Sequence, residues 1–137
     1  MKTLLSTLTL FLLLTVSAHA ASLSDAVFDA ALGIVANATR LVLCSSEPAT
    51  YAGVAGVTLA TDTSITFTGP ADHTSGRKVT LAAQTGITPS SNGTVTRGCL
   101  TDGSSILFGC FNITSQAVTT AQTWDVPAVI IAITDPS

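Results

Sequence analysis

Short runs of hydrophobic residues follow one another along this chain, each bounded by polar residues. This is the pattern of β-strands separated by turns. Such runs are Arg40 to Cys44, Ser64 to Thr68, Lys78 to Ala83 and Trp124 to Thr134, with a further candidate at Ala117 to Thr120. Clusters of Gly, Pro, Asn and Asp lie between them, for example Thr85 to Gly93. The Ala/Gly/Val-rich stretch from Tyr51 to Leu59 fits a loose strand or a short helix.

A β-hairpin is predicted from Gly93 to Thr114, where two apolar runs flank Asp102-Gly103. Asp-Gly between such runs favours a type I′ turn, because both central residues of that turn need φ > 0. A turn at these two residues pairs Cys99 with Ile106 and places Val95 on the same face as Cys99. Both faces of the hairpin are largely apolar, so we expect it inside a sandwich or barrel.

An amphipathic helix is predicted before the first strand, ending between Gly33 and Asn37. Its apolar positions recur at helical spacing: Leu23, Val27, Ala31 and Ile34, with Phe28 and Leu32 beside them. Asp25 is near the N-terminal end, where a negative charge is favourable. Such a helix covers a sheet face more often than it docks onto a partner, and both interpretations stay open.

The N-terminal twenty residues have the features of a secretory signal peptide. Lys2 precedes an apolar run from Leu4 to Val16, and Ala18-His19-Ala20 is a small-x-small cleavage site. We expect residues 1–20 to be removed and 21–137 to form a single β-rich domain without a stable membrane span, exported to the periplasm or the medium. The predicted fold class is mainly β: an antiparallel β-sandwich or jelly-roll-like barrel with one short N-terminal helix.

Charge is scarce in the predicted mature chain. Without Lys2, four basic residues stand against eight acidic ones, a formal charge of −4. No basic patch is present, so nucleic-acid binding is disfavoured. The few charges also leave little electrostatic protection against self-association.

Three cysteines, Cys44, Cys99 and Cys110, are an odd number for an oxidising compartment. The predicted hairpin register argues against a Cys99–Cys110 bond, since Cys110 lies four residues, roughly 13 Å, beyond the partner of Cys99. A disulfide needs Cα atoms within about 7 Å. A longer hairpin loop, a bridge to Cys44, an intermolecular bridge and three buried thiols all remain open.

Candidate chemistry is sparse, and we predict no catalytic, cofactor-binding or metal-binding residues. The mature chain has one histidine, His73, in the loop from Asp72 to Gly76, where turn formation is a commoner role than catalysis. Tyr51 and Trp124 are possible carbohydrate-stacking residues, although single aromatic residues more often belong to a core or its rim. Three glycosylation sequons occur, at Asn37, Asn92 and Asn112, the last of them in a strand that we expect to be buried.

Four segments give the chain a family resemblance: ASLSDAVFDAALG, PAD followed by GRKVTLAA, GTVTRGCLTDGSSILFG, and the terminal IAITDP. From Ala21 onward the chain resembles small proteins encoded by tailed phages and prophages of alphaproteobacteria. The resemblance implies a virion or virion-associated structural role and supplies no functional residues. Members usually begin near the equivalent of Ala21, whereas here a predicted signal peptide comes first.

Two functions are therefore expected from the sequence. The first is a non-enzymatic structural protein, a virion decoration, fibre or tail-associated component, with homo-oligomers or other virion or surface proteins as partners. Edge strands or the N-terminal helix would supply the contacts. The second is an exported β-sandwich binding module, adhesin-like or glycan-binding, which uses the turns at Pro70 to Gly76 and Gly86 to Gly93.

Overall fold

The computed structural model describes residues 23–135. The predicted signal peptide, residues 1–20, lies outside the described residues. The two helices are α1 (Asp25–Val35) and α2 (Tyr51–Val57). The strands are β1 (Arg40–Cys44), β2 (Thr58–Asp62), β3 (Phe67–Asp72), β4 (Arg77–Leu81), β5 (Gln84–Ile87), β6 (Gly93–Thr101), β7 (Leu107–Val118), β8 (Trp124–Val126) and β9 (Val129–Ile133).

The strands form three antiparallel sheets. One sheet has the order β2-β1-β6-β7, a second β3-β4-β9, and β5 pairs with β8 in the third. This confirms the predicted fold class, a mainly β protein with antiparallel, sandwich-like sheets. The prediction of a single helix is incomplete, because the Ala/Gly/Val-rich stretch that fits either a strand or a helix forms α2 at 51–57.

The main core lies between the sheets, and a smaller cluster lies on the other face of the four-stranded sheet. Alternation along β1 explains both, since successive side chains of a strand point to opposite faces. Leu41 and Leu43 belong to the main core. Val42 and Cys44 join Cys99 in the smaller cluster, with Val54 of α2. The prediction that the hairpin lies inside the sandwich therefore holds for β6, which is buried on both faces, but not for β7, an edge strand whose residues are mostly exposed or half-buried.

The tip of the β6–β7 hairpin differs from the predicted two-residue turn. β6 ends at Thr101 and β7 begins at Leu107, so the loop spans residues 102–106. The Asp102 carboxylate accepts backbone N–H groups from Ser104, Ser105 and Ile106 at 2.9, 2.8 and 2.8 Å. A side chain that satisfies three backbone donors stabilises a longer loop than the Asp-Gly signal indicates.

The longer loop moves the strand pairing by four residues. Cys99 therefore pairs with Cys110 instead of Ile106, and the two form a disulfide with a Cα–Cα distance of 4.1 Å. The register argument against this bond was wrong because it assumed the short turn. The register also shifts at a bulge between Val95 and Arg97. Val95 belongs to the main core and Cys99 to the smaller cluster on the other face, so the prediction that they share a face was wrong.

The third cysteine, Cys44, is free and fully buried. Burial raises the pKa of its thiol to about 11, because the charged thiolate loses hydration inside the protein. This buried position disfavours an intermolecular bridge through Cys44.

Several predicted strand boundaries change. The predicted final strand from Trp124 to Thr134 divides at Pro127 into β8 and β9, which belong to different sheets. Proline lacks an N–H for a ladder, so it breaks the pairing there. The predicted strand at Ala117 to Thr120 is the end of β7, which reaches Val118. β2 and β5 were not predicted, and β5 occupies part of a stretch expected to be a turn.

Candidate functional site

The loop that contains His73 is the connection of the β3–β4 hairpin. The His73 backbone N–H donates to the Gly76 carbonyl at 3.0 Å, and Gly76 has φ 93°, which favours glycine. The Asp72 carboxylate pairs with Arg77. The structure therefore gives Asp72 an ion-pairing role at the end of a hairpin.

The other predicted binding turn, Gly86 to Gly93, folds back onto β2. Ser90 and Ser91 both donate their backbone N–H to the Leu59 carbonyl, at 2.8 and 3.2 Å. The Asn92 side chain accepts the backbone N–H of Thr120 at 2.9 Å. This turn is held in place, and its two serine side chains line a groove that is described below.

The first groove, called the edge groove here, lies where β7 and β9 run along one side of the sandwich. Its volume is about 450 Å³. Its apolar lining includes Phe111, Ile113, Trp124, Val126, Val129 and Ile130. Within residues 23–135, β7 pairs only with β6 and β9 only with β4, so each strand has one edge without a ladder partner. The edge groove thus combines apolar side chains with free backbone donors and acceptors.

Helix α1 covers another part of the same side. Asp29 of α1 forms a bidentate ion pair with Arg77, whose Nε and Nη2 donate to the two carboxylate oxygens at 2.7 and 3.0 Å. Helix α1 also contacts β7 and β9. Arg77 is opposite Ile133, at the end of β9, whereas the edge groove reaches Val129 and Ile130 at its start. The helix therefore lies near the end of β9, and the edge groove lies near its start.

The outer face of α1 is apolar. The buried side chains of the helix are Phe28 and Leu32. Leu23, Val27 and Ile34, which the sequence pattern places on one stripe, are instead 53, 49 and 60% exposed. The helix covers the sheet as predicted, but it leaves this stripe in solvent.

The second groove, called the hydroxyl groove here, lies on the outer face of the four-stranded sheet beside α2. Its volume is about 470 Å³. Arg40, Val42, Tyr51, Thr61, Ser91 and Gly103 are among the residues that line it. The two aromatic residues singled out in the sequence, Tyr51 and Trp124, thus lie at different grooves, Trp124 with its Nε1 donating to Gln116 Oε1 at 3.0 Å.

The glycosylation sequons are accessible, whereas the described part of the chain does not bring metal ligands together. All three sequon asparagines, Asn37, Asn92 and Asn112, are exposed, so the expectation that Asn112 is buried was wrong. Among residues 23–135, no group of three His, Cys, Asp or Glu side chains is arranged to hold a metal ion. In the same range, no helix combines the length and apolar character of a membrane span.

The fold and these surfaces define a small antiparallel β-sandwich protein with two open grooves and an apolar helix face. Comparison with family models finds no family that matches the chain. Searches of curated proteins and of solved structures find no significant match either.

Proposed function

We propose that the chain is a non-enzymatic structural protein that self-associates outside the cytoplasm, of the virion-associated type suggested by its resemblance to phage proteins. The observation that carries the proposal is the side of the sandwich bounded by β7 and β9. On this side the apolar side chains of β9 are only partly covered, with Ile130 54% exposed. A second copy of the chain is the proposed partner.

The composition of the edge strands supports association between copies. β7 runs for twelve residues, Leu107–Val118, with no charged residue and no proline. Proteins that avoid edge-to-edge association usually place lysine, proline or inward-pointing charges on such strands. The sequence of β9, VIIAI, also contains no lysine, no proline and no other charged residue. Two copies can therefore approach through β7 or β9 without bringing charged residues of these strands together, and each would satisfy backbone groups of the other.

The outer face of α1 supports the same conclusion. Val27 and Ile34 add exposed apolar area on the helix that helps close this side of the sandwich, and Leu23 adds more just before the helix begins. Burial of apolar surface stabilises association by roughly 25 cal/mol per Å² before the entropy cost of binding. A contact that used both the helix and an edge strand would bury more apolar area than either alone.

Light scattering on a sizing column, under non-reducing conditions, tests the proposal with protein expressed from the full 137-residue chain. We expect a defined oligomer. β7–β7 contacts give closed dimers, while β7–β9 contacts between copies give rings or filaments. A monomer at every concentration would exclude self-association as the main role.

Lysine substitutions locate the contact. Ile130→Lys in the edge groove and Ile34→Lys on α1 place a charge at the proposed surfaces, and at least one should dissociate the oligomer. Ile106→Lys is the matched control, because Ile106 is 49% exposed but lies at the hairpin tip. Dissociation by the control alone, or by none of the three, would contradict the proposed contact.

A further inference from the structure

Arg40 differs from the other two arginines of the domain in its surroundings. Arg77 pairs with Asp29 and Asp72, and Arg97 pairs with Glu47. Arg40 has no carboxylate within ion-pair distance among residues 23–135. Its side chain lies over the backbone of Gly103, where a Cβ would come within 2.3 Å of Arg40 Nε. The missing side chain of Gly103 thus creates the space that the guanidinium occupies.

The hydroxyl groove presents this guanidinium together with apolar and hydroxyl groups. Arg40 is the only charged residue among those that line it. Buried Val42 and the half-buried ring of Tyr51 supply apolar surface. The hydroxyl groups of Thr61 and Ser91 also line the groove. An arginine fork that shares one groove with a planar aromatic ring and several hydroxyl groups matches a ligand with a carboxylate, an apolar face and many hydroxyl groups.

The strands beneath the groove disfavour an extended peptide as the ligand. β1 pairs on both sides, with β2 and β6, and β6 pairs with β1 and β7. A peptide laid across these strands would gain no main-chain ladder, which is the usual source of affinity for an added strand. A sugar needs no such ladder, because its hydroxyl groups bond to side chains. The volume, about 470 Å³, is within the roughly 300–1,000 Å³ of small-ligand sites.

We infer that the hydroxyl groove binds an acidic carbohydrate, a saccharide that carries a carboxylate, with Arg40 on the carboxylate and Tyr51 against the sugar ring. This inference does not depend on the proposed self-association, since the groove lies on the outer face of the sheet and the edge groove at its β7 side. The two proposals can therefore fail separately.

Calorimetric titration of the full chain with a trisaccharide of galacturonate tests the inference. We expect saturable binding, and binding at least about tenfold weaker for the neutral galactose trisaccharide, because a charged hydrogen-bonded pair is lost. Arg40→Gln should reduce galacturonate affinity by at least about tenfold as well. Lys78→Gln removes one positive charge from the other sheet and should change the affinity less than about twofold, since Lys78 does not line the groove and charges at a distance are screened.

Three results would overturn the inference: no saturable binding of the acidic trisaccharide, equal affinity for the neutral one, or an equal loss in Lys78→Gln. Displacement of the saccharide by an equal concentration of inorganic phosphate would also overturn it, since the groove would then be a general anion site. Urea unfolding of Arg40→Gln checks that the variant is folded. Thr61→Val, at an exposed position, provides a second variant if it is not, and it should also weaken binding.

Discussion

The ring of Phe111 lies against Gly98, its direct partner on the neighbouring strand. A Cβ at position 98 would be 2.5 Å from Phe111 Cζ and 2.9 Å from Ile113 Cδ1. Gly98 has no unusual backbone angle, so the absence of a side chain is needed for space alone. Because Phe111 and Ile113 line the edge groove, this glycine sets how deeply the aromatic ring lies within it.

Gly98→Ala should therefore destabilise the protein by about 1–3 kcal/mol, the usual cost of an extra carbon in a packed site. Urea unfolding followed by tryptophan fluorescence measures this. Gly109→Ala is the matched control in the same hairpin, since a Cβ there meets no atom within 4 Å. Its effect should be within about 0.5 kcal/mol. Equal effects of the two substitutions would contradict the proposed role of space at Gly98.

Removal of the disulfide should cost about 2–3 kcal/mol of unfolding free energy, the entropy term for a short closed loop. The double variant Cys99→Ala/Cys110→Ala tests this in urea, and reduction of the unaltered protein should reproduce most of the loss. Cys44→Ala keeps the disulfide and should be the milder change. If Cys44→Ala were the more damaging, packing and not the covalent bond would be the larger contribution.

The Cys44 thiol should resist alkylation in the folded protein. Its pKa, raised from 9.0 to about 11, lowers the thiolate fraction at neutral pH about a hundredfold, and burial blocks access as well. Mass spectrometry after iodoacetamide treatment should show no label on the native chain and one label after unfolding without reductant. Rapid labelling of the native chain would contradict the buried position.

Acid should weaken the hairpin tip through Asp102. Backbone N–H groups of Ile106, Ser105 and Ser104 lower the pKa of this carboxyl below its ordinary value of 3.8. A carboxyl with a lowered folded-state pKa stabilises the protein above its unfolded-state pKa and loses that contribution as the pH falls further. Asp102→Asn should therefore flatten the fall of the urea midpoint below about pH 4. An unchanged slope in Asp102→Asn would refute the prediction.

Loss of the Asp29–Arg77 pair should loosen α1 locally. Asp29→Asn removes the carboxylate that holds Arg77 with two hydrogen bonds, while Phe28 and Leu32 keep the helix on the sheet. Hydrogen exchange should therefore quicken in α1 and stay unchanged in β6. Equal acceleration in both elements would indicate that the pair stabilises the whole domain.

Local sequence patterns predicted strand β1 better than the loop that connects β6 and β7. β1 was predicted with its observed bounds, because RLVLC is a short apolar run between polar segments, of the length of a strand and shorter than a typical helix. The hairpin tip was misjudged because two local signals compete at Asp102. Asp-Gly favours a two-residue turn, whereas the Asp102 carboxylate bonds to three backbone groups only in the longer loop.

The grooves could not be predicted, because their residues are distant in sequence. Arg40 and Ser91 meet at the hydroxyl groove only through the pairing of β1 with β2 and the return of the turn before β6. The edge groove depends on which strands form the edges of the sheets, and the sequence of a strand does not show which strands it pairs with. Tyr51 and Trp124 were the available signals, and each marks one groove.

The four-residue difference between the two hairpin registers has a consequence for how this chain reaches one structure. A slip by an even number of residues keeps the inward and outward alternation of a strand, so burial alone distinguishes the two pairings poorly. Cys99 and Cys110 are opposite each other in only one of them. The disulfide is therefore compatible only with the alignment that has the longer loop, and once formed it excludes the alternative that the Asp-Gly turn favours.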